Sequence, residues 1–526
     1  MRGLLARLRR ISRRDPVPAS ADAARGVPVA ADRDDYELGV EALRRGEIDA
    51  ALAALERALD GGHDAAEVCL QLGMAELARD GLPAALDHLE LALHHRPGWP
   101  EALRALGAAR LHAAQYGPAA VALEQALAHG GAHAQTLSDL ALAHRELGHF
   151  AEAEQACRRA LELDPAFQAA RFNLALMLKD QGRLEEASAL LEAMLQATPD
   201  DAEVRWSLAV VRLLAGDFER GWRDYAARWS CAQAVARPQR LPSWDGCSLV
   251  GKRILIWGEQ GLGDEIMFAS CVPEVAGAAA GSVLECSPKL QRLFARSFPR
   301  TQVIAVGADG EGAAPGKAAD VEAAIGSLPQ LLGRTWGRFP PHGGYLRASP
   351  ESVSRWRARL DGLGAGLKVG ISWRGGDRRT RQRLRSVALA EWAPVFSTVG
   401  CHFVSLQYGE AREDLARPGL PASAVVHEWA ESIENYDETA ALVCALDLVI
   451  SVCTAVVHLG GALGRPVWVL VPSAPEWRYL QHGDAMPWYP SARLYRQAVA
   501  LDWSGVLGAV AADLARAVHE GRVGGG

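Results

Sequence analysis

From about Asp32 to Trp229, apolar and small residues recur at helical spacing, and the pattern repeats every 34 residues. Gly46, Gly148, Gly182 and Gly216 share one phase, and Ala51, Ala85, Ala119, Ala153, Ala187 and Gly221 share a second. Ala58, Ala92, Ala126 and Ala160 share a third, and Pro97, Pro165 and Pro199 close three of the units. The repeat predicts pairs of antiparallel helices, with small side chains where the helices cross closely. Glycine suits the turn because it adopts a backbone conformation that a side chain penalises. Proline ends the second helix because it lacks an amide proton and crowds the preceding turn. One pair cannot bury its apolar face alone, but six stacked pairs can. After the link ARPQRLPSWDG (236–246) the period changes. Short β-rich runs now alternate with helical segments: RILIW (253–257), SVLEC (282–286), TQVIAV (301–306), KVGISW (368–373), HFVSLQY (402–408), LVISV (448–452) and PVWVLV (466–471). Such alternation implies parallel sheets flanked by helices, here in two lobes split near residue 350.

The spacing and residue types of the first half resemble the tetratricopeptide repeat over six units. With no catalytic constellation inside it, this half is read as a recognition surface; a spacer or oligomerisation arm is the blander alternative. The sixth unit carries GDFERGWRDYAARW (216–229), with Phe218, Trp222, Tyr225 and Trp229. These aromatics are expected to pack the last repeat against the catalytic half, not to stack on a sugar.

Bulk properties narrow the class. Hydrophobic residues make up 49% and charged residues 23%, the balance of a globular protein. A net charge of −7 gives no general reason to expect nucleic acid as partner. No apolar run approaches the ~20 residues that span a bilayer. The nine cysteines form no C-x-x-C pair, so neither a zinc site nor a disulfide framework is suggested, and a cytoplasmic setting fits. The first fourteen residues carry six arginines without the apolar stretch of a secretory signal. A basic, disordered tail is the favoured reading, over a short helix making peripheral membrane contact.

Candidate chemistry lies in loops that come after strands, where such sheets bind ligands. GEQGLGDE (258–265) comes after the first strand; Gly261 and Gly263 let backbone approach a ligand, but Ile266 stands where a dinucleotide fingerprint needs glycine. In the last strand–helix unit, Thr454 can cap a helix beginning near Ala455, leaving the amides of Ala455 and Val456 to face a phosphate. His458 lies one turn inward, read equally well as a diphosphate ligand or a satisfied core histidine. The loop WRGGDRRTRQRLRS (373–386) concentrates arginines, whose planar fork matches phosphate oxygens.

Five stretches together are similar to the glycosyltransferase family 9 (heptosyltransferase) superfamily, in the bacterial subgroup that joins tetratricopeptide repeats to this domain. They are WDGCSLVGKRILIWGEQGLGDEIMFAS, GISWRGG, FVSLQYG, DETAALVCALDLVISVCTAVVHLGGALGRPVWVL and MPWYPSARLYRQ, spanning most of residues 251–500. The resemblance implies an α + α/β multidomain chain ending in a GT-B transferase with two Rossmann-like lobes, no metal and no other cofactor. The boundaries expected are a tail at 1–31, repeats at 32–230, a linker at 231–250, an acceptor-side lobe at 251–350 and a nucleotide-sugar lobe at 351–526. The last helix is expected to return to the first lobe. Motif by motif, the resemblance makes Asp264 the base that deprotonates the acceptor. It makes Arg374, the amides after Thr454, and His458 the neutralisers of the leaving diphosphate, and brings Glu438 to the ribose. Trp477, Arg478, Trp488 and Tyr489 would shape a sugar pocket. Cys453 stands where many such sequences carry aspartate, so ADP-heptose is not carried over as donor.

The function expected is an inverting transfer from a nucleotide-sugar to a protein acceptor, held near the site by the repeats. Flagellins or adhesins are acceptors by analogy only. Two other readings stay open: a non-catalytic scaffold with a degenerate transferase domain, and a transferase acting on a glycan or lipid.

Overall fold

The computed structural model describes residues 30–232, 241–306, 319–335, 337–339, 342–376, 381–409, 411–416, 425–433 and 435–521. The basic N-terminal stretch expected to be a tail, and Arg378 and Arg379 of the arginine-rich loop, lie outside the described residues. The chain divides into two compact units, residues 1–178 with 230–234, and residues 179–229 with 235–526. Within the stretch expected as repeats at 32–230, Lys179–Trp229 groups with the sheets.

In the first unit, helical pairs run in order: Ala30–Arg45 with Ile48–Asp60, Ala65–Ala78 with Leu82–His95, Pro100–His112 with Tyr116–Gly130, and Ala134–Leu147 with Phe150–Leu163. The alanines of the second and third phases in this unit, from Ala51 to Ala160, are all buried. The structure adds a phase that the repeat pattern did not reveal. A Cβ on Gly39, Gly73 or Gly107 would come within 2.5–2.7 Å of Leu55, Leu89 or Leu123 respectively, so the first helix of each pair needs glycine where the second crosses it.

The turn glycines Gly46, Gly148, Gly182 and Gly216 all have φ between +77° and +83°. The same phase holds Asp80 (φ +65°) and Ala114 (φ +56°), where a side chain strains the left-handed backbone. Replacing Ala114 with glycine is accordingly expected to stabilise the chain by about 1 kcal/mol, read as a shifted urea midpoint at unchanged slope.

The second unit contains helices Leu184–Ala197, Ala202–Leu214 and Phe218–Tyr225, then two sheets. The first sheet is β1 (Arg253–Trp257), β2 (Gly281–Cys286), β3 (Thr301–Ala305) and β4 (Val321–Ala324), parallel throughout in the order β3-β2-β1-β4. The second is β5 (Leu367–Ser372), β6 (Cys401–Ser405), β7 (Val426–His427), β8 (Leu448–Val452), β9 (Val467–Val471), β10 (Ala485–Met486) and β11 (Tyr489–Arg496). Its order is β10-β11-β9-β8-β5-β6-β7, parallel except for the β10–β11 hairpin. Every residue of β8 and β9 is buried, as expected for strands covered on both faces.

The C-terminal helix Ser504–Glu520 was expected at the first sheet, but it packs on the second. Val506, Leu507, Val510 and Leu514 join the core under β5, β8 and β9, and Tyr495 of β11 donates to Asp513 at 2.8 Å. Apolar residues at helical spacing define a buried face but not which sheet receives it.

Candidate active site

Strand order decides where a parallel sheet can bind a ligand: at the point where successive connections leave in opposite directions, a crevice opens beyond the carboxyl ends. In the first sheet the chain runs outward from β1 to β2 and β3 and returns to β4 on the other side, so the switch lies between β1 and β4. In the second it runs from β5 to β6 and β7, then returns to β8, so the switch lies between β5 and β8. The loops singled out from sequence, 258–265, 373–386 and 453–458, leave these strands. They also meet. A Cβ on Gly263 would lie 3.0 Å from the His458 ring and 3.4 Å from Ala455 Cα, while one on Gly375 would lie 2.8 Å from the Cys453 carbonyl oxygen. Both glycines serve as points of close backbone approach.

Asp264 sits in the first turn of helix Leu262–Phe268. Arg478, from the loop after β9, donates to Asp264 Oδ1 through Nε at 2.8 Å and again through Nη2. The Gly261 amide reaches the other oxygen, Oδ2, at 3.4 Å. Arg478 also pairs with Glu476 at 3.2 Å, and Glu476 in turn pairs with Arg385 of the arginine-rich loop. Burial alone would favour a neutral Arg478, but the Asp264 and Glu476 carboxylates hold it firmly charged. An ion-pair chain thus links loops of both sheets. Sequence reasoning found its first two members, Asp264 and Arg478, and missed Glu476 and Arg385.

The helix Ala455–Ala462 begins at Thr454, whose hydroxyl accepts from the Val456 amide at 3.2 Å. Thr454 and Ala455 remain partly exposed, so the helix N-terminus can be reached. His458 is different: it is buried, and its Nδ1 lies 3.2 Å from the Tyr489 hydroxyl. Burial lowers its imidazole to about 3, with the charge of Arg478 acting in the same direction. It is a hydrogen-bonded core histidine that backs the helix. A Cβ on Gly461 of the same helix would come within 2.2 Å of the Tyr489 ring. Gly461→Ala is therefore expected to destabilise by roughly 1–3 kcal/mol, seen as a lowered melting temperature.

Two buried groups make stability depend on pH with opposite signs. The unfolded chain protonates His458 near 6.5 and the folded chain only near 3, so stability falls as pH drops through that window, by up to about 1.4 kcal/mol per pH unit. Burial raises Glu265 from 4.5 to about 7, although it accepts from the Ser287 amide at 2.9 Å. There the folded chain binds the extra proton, so stability falls as pH rises from 4.5 to 7. The slopes oppose between 4.5 and 6.5, leaving His458 to act alone between 3 and 4.5. Urea melts of His458→Gln should accordingly show a shallower acid limb than the parent below pH 4.5.

The remaining expected residues lie further from the meeting point or deeper in the core. Arg374 is turned toward Asp414, with Nε 2.7 Å from Oδ2. Glu438 accepts from the Trp356 indole at 2.8 Å, the Ser352 hydroxyl at 3.1 Å, and Arg355. Burial alone would raise its carboxyl, but these donors hold it below the usual range. Trp477 and Trp488 do not shape an open pocket. They are buried among Trp222, Phe268 and Phe339, with ring centroids 4.7–6.3 Å apart. Tyr489 is fully buried beneath the helix. Thus of the four pocket residues only Arg478 touches the candidate base.

Two missed features shape the site. Gln407, two residues beyond β6, accepts from the amides of Trp373 and Arg374 at 3.0 and 2.8 Å and donates to the Arg374 and Tyr408 carbonyls at 3.2 and 3.1 Å, fixing the start of the arginine-rich loop. Its only sequence signal was a lone amide after a strand. The last repeat also grips the first loop. The Gln260 amide donates to Tyr225 Oη at 2.9 Å, and Arg228 makes a buried fork to Glu259 at 2.7 and 3.0 Å. Gln260 is held at φ +64°, a strained conformation for a side-chain-bearing residue.

Among the described residues no group of three or more His, Cys, Asp or Glu could hold a metal ion, and no helix is long and apolar enough to cross a membrane. Residues 36–102 and 144–211 match the tetratricopeptide repeat family, so the N-terminal region carries such repeats. The chain is 34% identical over 320 residues to Protein FlbA of Caulobacter vibrioides, a match covering 58% of this chain and 53% of that protein. The chain thus spans about half the length of the curated relative it matches. A tetratricopeptide repeat protein from Parabacteroides merdae is similar in structure, with 17% identity and a TM-score of 0.36 over 39% of this chain and 81% of that one. YrrB, a tetratricopeptide repeat protein with an unusual peptide-binding site, has 20% identity and a TM-score of 0.29 over 34% and 91% of the two chains.

Proposed function

We propose that this chain is a metal-independent, inverting glycosyltransferase of the GT-B type, moving a sugar from a nucleotide-sugar to a protein held by its repeats. One observation carries this reading: loops from the switch points of two parallel sheets meet, bringing the Asp264 carboxylate, the guanidinium of Arg478 and the accessible start of helix Ala455–Ala462 together. In the transfer, Asp264 takes the proton of an acceptor hydroxyl as its oxygen bonds to the anomeric carbon. The bond from that carbon to the phosphate oxygen breaks, and its electron pair leaves with the nucleoside diphosphate. Helix-end amides and arginines neutralise the departing charge, a role needing no proton transfer. His458 acts indirectly, by supporting the helix through Tyr489. The repeats supply the acceptor: a solenoid offers an extended binding surface, and tethering the acceptor raises its local concentration.

Cys453 favours activity over a degenerate scaffold. Its thiol is buried, points at the Leu470 carbonyl oxygen 3.6 Å away, and is pushed up to about 12 by burial. The residue that departs from the family pattern is thus a well-packed core side chain in this protein. Incubation with a panel of nucleotide-sugars and bacterial lysate should transfer label to protein. No transfer or donor hydrolysis with any donor would overturn the reading.

A further inference from the structure

The glycosyltransferase reading leaves Arg478 with two jobs that it cannot do at once. Two of its N–H groups occupy Oδ1 of Asp264, leaving only Oδ2 of the carboxylate to an incoming hydroxyl. The same guanidinium, with Arg385, brackets the Glu476 carboxylate, one arginine on each oxygen. Arg385 lies against the Gly375 carbonyl at 3.4 Å, and Gly375 packs on Thr454 at the start of helix Ala455–Ala462. Both arginine side chains are mostly buried, with 11% and 14% exposed, whereas Glu476 is 36% exposed. A partly exposed carboxylate held between two guanidinium groups is the arrangement a phosphate group would compete for.

We propose that Arg385 and Arg478 receive the donor's diphosphate, and that Arg478 leaves Asp264 to do so, making donor binding the event that frees the base. This rests on the transferase reading and adds an order to it: donor first, acceptor second. Charge supports that order. Asp264, Glu476 and the two arginines are together neutral, so a bound diphosphate adds negative charge beside Asp264 just as the guanidinium leaves. The acceptor hydroxyl then meets a carboxylate whose Oδ1 has been uncovered. Trp477 gives the motion a pivot: Arg478 stacks on its ring at 4.7 Å, and that ring is buried.

The test is calorimetric titration of the full chain with UDP, GDP, ADP and CDP, applied to the parent, Asp264→Asn, Arg478→Met, Arg385→Met and the Asp264→Asn/Arg478→Met double variant. Melting temperatures confirm that each is folded. Removing the competing carboxylate in Asp264→Asn should tighten the preferred diphosphate by about tenfold, whereas each arginine variant should weaken it by at least about tenfold. In the double variant most of the Asp264→Asn gain should vanish, because Asp264 acts on the ligand chiefly through Arg478 and only weakly by direct charge repulsion. An affinity unchanged by Asp264→Asn, or a gain that persists in full without Arg478, overturns the proposal while leaving the transferase reading standing. Failure of every diphosphate to bind the parent overturns that reading itself, a different and recognisable result.

Discussion

A chain beginning at Lys179 is expected to fold with its site intact, whereas one beginning at Ser230 is expected to aggregate. Phe218, Trp222 and Tyr225 are each at most 2% exposed, packed with Phe268, Trp477 and Trp488 under the candidate site. Losing one buried large aromatic costs about 3–5 kcal/mol, and three together reach the ~5–15 kcal/mol stability of a whole domain. The shorter chain would also strand Glu259, buried without Arg228. Gel filtration and thermal melts of the two truncations check this; a cooperative melt at the same temperature from the Ser230 chain would refute it. The Lys179 chain also tests the acceptor. If the repeats of the first unit supply a protein, transfer to protein should collapse while any transfer to a small glycan survives.

Asp264→Asn is expected to lower turnover by roughly 10²–10⁴ without weakening the donor, the range for losing a positioned general base. The substitution keeps the shape and a hydrogen bond to Arg478 while removing the charge that accepts the proton. A fall in turnover at an unchanged melting temperature identifies the base. Turnover within threefold of the parent would move that role to another carboxylate, and Glu265 would be the first to try. Glu265 is buried one residue on and raised to about 7, but it accepts from the Ser287 amide and faces the first sheet rather than the meeting point of the loops.

Much of the scaffold was legible because it is written in neighbouring residues. The 34-residue period gave the helical pairs, and glycine at the turn phase did take the left-handed conformation. The seven β-rich runs became β1, β2, β3, β5, β6, β8 and β9 with ends shifted by a residue or a few. The four unpredicted strands are β4, β7, β10 and β11. β4 has four residues, and β7 and β10 have two each, so they carry too little alternation to be recognised. β11 is interrupted by Pro490 and alternates only partly.

The candidate site was legible in its loops and less so in its contacts. Asp264 and Thr454 could be picked out because a carboxylate in a glycine-rich turn and a hydroxyl before a helix have local signatures. Arg385 looked like one member of a solvated charge run, and nothing in the sequence distinguished it from Arg383, which is exposed. Trp477 and Trp488 were expected in a sugar pocket, and a buried and an exposed tryptophan read alike in one dimension.

The sequence alone therefore determined the helical pairs, seven of the strands, which faces are apolar, and which loops come after those strands, since all of these depend on residues a few positions apart. Only the tertiary structure decided the strand orders, the membership of Lys179–Trp229 in the second unit, and the ion pair between Asp264 and Arg478. Those two residues are 214 positions apart, and no periodicity reaches that far. They meet because strand pairing and close glycine contacts bring two loops together, and those are properties of the packed chain.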